Sequence, residues 1–153
     1  MKKFIIALVA LLLVAVVSFC IHDVMFYNAW PELKDLPRFR SKEIYSVDNF
    51  TDCTDYAKFT YRNVSDEDLE NAKSFKKTDK EKMDEILNYI TEYKSFINNI
   101  NGMDEVKNAY DFDKAVVNES DYYRMIKNGD GFIIALYYFD MESQILYYFH
   151  YCA

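Results

Sequence analysis

Eighteen residues without a charge, Phe4 to Ile21, constrain this chain more than any other stretch, because they decide which solvent the rest of it meets. A bilayer core takes about 20 apolar residues and the hydrophobic part of a secretory signal about 7 to 15, so the run lies between the two classes. Two readings of residues 1–21 follow: an uncleaved signal-anchor, or a signal peptide cut near the small residues Val16 and Ser18. The anchor reading gains from apolar character that continues through Phe19, Cys20 and Ile21. It resumes at Val24-Met25-Phe26-Tyr27, with Trp30 close behind, and Tyr and Trp settle at the headgroup layer. A lipoprotein reading of Val17-Ser18-Phe19-Cys20 meets a Phe too large for the position before the Cys. Under both main readings Lys2 and Lys3 face the cytoplasm and residue 22 onward lies outside.

Beyond those two lysines, sixteen basic residues stand against 25 acidic ones, a balance that argues against a nucleic-acid partner. With three Gly and two Pro in all, little of the chain reads as flexible linker. Residues 22–42 carry both prolines, Pro31 and Pro37, and read as a juxtamembrane spacer or short helix. Residues 43–153 are expected to form one extracytoplasmic α+β domain.

The run from Glu43 to Arg62 ends in clean alternation, Ala57, Phe59 and Tyr61 one way and Lys58, Thr60 and Arg62 the other, as a half-buried strand requires. The polar stretch Asp48 to Asp52 divides that run into two strands, or a loop and a strand. Ser65 with Asp68 three residues on predicts a capping box opening a short helix, with Val64 placed to staple onto Leu69. A second pair, Thr78 and Glu81, predicts the start of a helix that stops at Asn101-Gly102. Its apolar stripe is Met83, Ile86, Leu87, Ile90, Phe96, Ile97 and Ile100, with Tyr89 and Tyr93 as amphipathic margins. Strands are expected at Asp121–Lys127, Phe132–Phe139 and Ile145–Cys152, joined by turns into an antiparallel meander. The last two are apolar on both faces, so each needs cover above and below. The fold expected is α+β: a hydrophobic N-terminal helix, then an antiparallel sheet of about four strands crossed by one long helix.

Most catalytic chemistries find no support here. His22 and His150 are the two histidines, and His150 in an aromatic strand reads as a hydrogen-bonded core residue. The glycines are too few for a phosphate cradle, and no zincin, Walker or nucleophile-elbow motif occurs. Carboxylate pairs such as Asp52 with Asp55, or Asp111 with Asp113, are equally at home in solvated loops. The acids Asp66, Glu67, Asp68 and Glu70 suit the positive end of a helix and match no metal-ligand spacing, so neither metal nor cofactor is expected. Asn49, Asn63 and Asn118 each begin a glycosylation acceptor pattern, a weak signal in a chain this rich in Asn, Ser and Thr.

What remains is a non-catalytic binding or interaction module, anchored to a membrane through residues 4–21 or secreted. The alternatives are an accessory subunit of a membrane enzyme or transport complex, or a carboxylate-dependent hydrolase. Tyr combines apolar area with a hydrogen-bonding tip, so Tyr137, Tyr138, Tyr147, Tyr148 and Tyr151 are the candidate binding residues. They would meet a protein partner or a second copy of the chain through the aromatic sheet, unless they are its core. Cys53 and Cys152 are a candidate disulfide if the compartment is oxidising.

Overall fold

The computed structural model describes residues 2–48 and 53–151. The chain divides into two compact units, Met1–Leu36 and Pro37–Ala153. In the first, α1 runs from Lys2 to Ala29, beyond the apolar run and past His22 and Asp23. Nothing there opposes a helix until Pro31, which lacks a backbone donor and restricts the residue before it. A 3-10 turn at Pro31–Leu33 follows, and Phe26 stacks on Trp30 with ring centroids 6.4 Å apart. Leu8 to Ser18, whose side chains are described without interruption, are all exposed, Leu11 to 70%. No helix among the described residues is long and apolar enough to cross a membrane.

The second unit is built on six strands: β1 (Ser41–Asp48), β2 (Cys53–Thr60), β3 (Lys76–Lys77), β4 (Tyr122–Lys127), β5 (Ile133–Asp140) and β6 (Ile145–Tyr151). They pair antiparallel in the order β1-β2-β6-β5-β4-β3. The class is α+β, and the C-terminal meander β4-β5-β6 lies where the turn residues put it. The strand count is six, not about four, because two edges are weakly written. Only Tyr45 and Val47 of β1 pack against the core, and β3 is two exposed lysines. Of the polar divider between β1 and β2, Asp48 ends β1 opposite Cys53, and residues 49–52 lie outside the described residues.

Three helices accompany the sheet: α2 (Asp66–Asn71), α3 (Lys80–Asn99) and α4 (Asp104–Ala109). Ser65 and Asp68 form the reciprocal capping box at α2. At α3 the cap is Asp79, whose side chain accepts from the Lys82 amide, and not Thr78, whose hydroxyl is buried without a partner among the described residues. A carboxylate one residue later is the stronger acceptor for a first-turn N–H, and that displaces the boundary. Tyr89 and Tyr93 are also not margins. They are 3% and 0% exposed, at the centre of the stripe, because their hydroxyls find acceptors in the sheet. Tyr89 donates to the carbonyls of Ile134 (3.0 Å) and Phe149 (3.3 Å), and Tyr93 to that of Asp55 (2.9 Å).

Both sheet faces are covered. On one, the cross-strand row Tyr45-Tyr56-Phe149-Leu136-Met125 lies in the same core cluster as α3 and the α4 segment. On the other, Phe59, Leu146, Phe139 and Tyr122 form a row across β2, β6, β5 and β4. Phe39 contacts Phe59 at 5.5 Å, Tyr61 contacts Phe139 at 5.4 Å and Phe75 contacts Tyr137 at 6.4 Å. Gln144, in the β5–β6 turn with φ 58, fixes this cover by a two-way bond to Val64: it accepts the Val64 amide at 2.7 Å and donates to the Val64 carbonyl at 3.2 Å.

Candidate functional site

The β4–β5 turn is held by one side chain. Asn128 Oδ1 accepts the amides of Asp130 (3.1 Å) and Phe132 (2.9 Å), and Gly131 takes φ 87, a conformation that suits a residue without a Cβ. This loop places Phe132 outside β5 and leaves it 70% exposed, the largest exposure of any aromatic ring described in the second unit. Phe132 was expected to begin the strand. The Gly129-Asp130-Gly131 bracket just before it is the signal that could have shown it at a tip instead.

Beside Phe132 is a cleft of about 290 Å³ between α3 and the sheet, lined by Glu85, Tyr89, Glu92, Lys127 and Tyr151 among others. Tyr151 stacks at an angle on Phe96 (5.0 Å) and Tyr89 (5.6 Å) and directs its hydroxyl toward Glu92 at 3.5 Å. Burial first, and then the Glu92 charge, raise its phenol above the ordinary value. A second cleft of about 340 Å³ begins on the far side of Glu85 and Lys127, along β4.

The five candidate tyrosines do not share one surface. Tyr138 and Tyr147 belong to the core cluster under the α4 segment, and the Tyr138 hydroxyl donates to buried Asp121. Tyr137 and Tyr148 are on the opposite face, 4.6 Å apart, exposed by 2% and 9%. Of the five, Tyr151 lines a cleft together with Phe132. Cys53 is disulfide-bonded, while Cys152 lies outside the described residues.

One His–carboxylate pair is described. His150 Nδ1 is 2.9 Å from Asp55, which also accepts from Ser46, and the three sit opposite one another on β6, β2 and β1. Burial pushes the Asp55 carboxyl up, and the bonds from His150 and Ser46 more than reverse it, leaving it below the ordinary value. The acid is in the middle of this row, so His150 does not bridge to Ser46, as a base activating that hydroxyl would have to. Asp111, an expected carboxylate candidate, is tied up by the Tyr56 hydroxyl (2.7 Å) and Lys58 (2.8 Å). The acids of α2 serve as cap and anchor, with Asp66 accepting from Lys77 and Tyr122. Among the described residues no three His, Cys, Asp or Glu side chains converge as metal ligands. No protein family, curated protein or solved structure matches the chain.

Proposed function

We propose that the folded unit is a non-catalytic binding module for a polypeptide partner, held on the outer face of a membrane by α1, and that the Phe132 cleft is its contact surface. The observation that carries this reading is the exposed ring of Phe132 on a loop fixed by Asn128, next to a cleft walled by the Tyr89 and Tyr151 rings. Burying a phenyl ring recovers roughly 1.5 to 3 kcal/mol, and an aromatic anchor set against a preformed pocket is how interface hot spots are built. Glu92 and Lys127 at the rim supply polar contacts around it. The exposed aliphatic side chains from Leu8 to Val17, behind Lys2 and Lys3, support the membrane attachment. A photocrosslinking residue at position 132 of the full chain, activated in intact cells, should yield one dominant adduct. Protease added outside should remove residues 37–153. A smear of adducts matching abundance, or a protected domain, contradicts the proposal.

A further inference from the structure

The ladder on the outer side of β4 stops early. β3 pairs with it only at Lys76↔Tyr123 and Lys77↔Tyr122, extended by the Thr78 amide donating to the Asp121 carbonyl at 2.8 Å. In an antiparallel ladder the N–H and C=O of one residue face the same neighbour, and successive residues alternate. Asp121 faces β3, while Asn128, at the other end, donates inward to the Phe132 carbonyl at 2.9 Å. Odd positions therefore face outward, and the N–H and C=O of Met125 and Lys127 point to an edge that no described strand occupies. The chain before β3 turns away instead, with the Phe75 amide donating to Ala72 at 3.1 Å.

The cleft of about 340 Å³ runs along this open edge, and it is charged against the sign of the protein. Five cations line it, Lys73, Lys76, Lys82, Arg124 and Lys127, with one carboxylate, Glu85, in a chain of net charge −7. Glu85 is already paired with Lys82 and Lys127. Lys73 and Lys76 are exposed and make no ion pair among the described residues.

We propose that this edge receives an extended acidic segment of the partner as an added antiparallel strand, with main-chain bonds to Met125 and Lys127 and carboxylates against Lys73 and Lys76. The inference rests on the reading of the unit as a binding module and names its partner chemistry. Main-chain pairing supplies affinity in strand addition, and opposite charges across the pair supply selection. Lysines on an edge deter indiscriminate sheet pairing, and they set this edge's β4 against that of a second copy, which would bring like charges together. An acidic strand is the occupant they admit.

The test uses the full chain in detergent micelles and a labelled octapeptide of alternating Glu and Val, with two controls: Lys in place of Glu, and N-methylation of alternate backbone amides. The acidic peptide should bind and slow hydrogen exchange at the Met125 and Lys127 amides. Both control peptides and the variant Lys73→Glu/Lys76→Glu should bind about tenfold or more weakly, and added salt should weaken the acidic peptide. No binding, equal binding of the Lys peptide, or tight binding of the N-methylated peptide overturns strand addition, whether or not the variant folds. If the peptides fail while position 132 still crosslinks one partner, this edge falls and the binding-module reading stands.

Discussion

Lys127 at the end of β4 donates to Glu85 on α3 at 2.8 Å, and the same carboxylate accepts from Lys82 at 2.7 Å. This short charged rib is shared by both clefts and ties the open strand to the helix. The bonds from Lys127 and then Lys82 hold the Glu85 carboxyl below its ordinary value of 4.5. A depressed folded-state value stabilises the fold above the ordinary range, and that contribution is lost as pH falls through the folded value. Solvent screening limits it to about 1 kcal/mol or less. Denaturant unfolding of wild type and Glu85→Gln should show a small gap at neutral pH that closes in acid; a gap that persists in acid contradicts the pairing.

Asp121 carries the opposite sign. Burial raises its carboxyl above 3.8, although the bonds from the Tyr138 hydroxyl and the Met141 amide draw it down. For an acid with a raised folded value the charged form costs stability, so this group disfavours the fold progressively as pH rises from its ordinary range through the folded value. Asp121→Asn should flatten that dependence while keeping an acceptor for Met141. Asp121→Ala strands the buried Tyr138 hydroxyl and the half-buried Met141 amide and should cost about 2 to 3 kcal/mol. Equal losses for the two variants would remove the network from the account.

How far the fold was legible depends on how local each signal is. Ser65 with Asp68, and the glycines at the β4–β5 turn, act within a few residues, so the α2 cap and the meander could be read directly. Tyr89 and Tyr93 read as margins in the sequence because a phenol is amphipathic until its acceptor is known, and those acceptors, Ile134, Phe149 and Asp55, lie tens of residues away in sequence. The same reason hid the split of the tyrosines between faces, where Tyr137 and Tyr138 alternate by one position on β5. β3 has no pattern of its own and exists only through Tyr122 and Tyr123.

The tyrosine core makes a graded prediction. Tyr93→Phe keeps the ring against Phe149 (5.4 Å) and loses the bond to the Asp55 carbonyl, for about 0.5 to 1.5 kcal/mol. Tyr93→Ala also opens a cavity and should cost about 3 to 5 kcal/mol. If the two unfold alike, the hydroxyl and not the ring carries the site.

For the disulfide, the register sets Thr54 opposite Tyr151, so Cys53 is bonded next to the last described rung of β2 and β6. We predict that peptide mapping without reductant links Cys53 to Cys152, closing a loop worth about 4 to 5 kcal/mol in the chain-entropy model. A link to Cys20 would contradict this pairing.

The central claim is that Phe132 is exposed for contact and not for stability. Phe132→Ala in the full chain should unfold within about 0.5 kcal/mol of wild type, as a surface change does, and reduce capture of the crosslinked partner at least tenfold. Unchanged capture by a folded Phe132→Ala protein, or a stability loss of core size, about 3 kcal/mol or more, would contradict it.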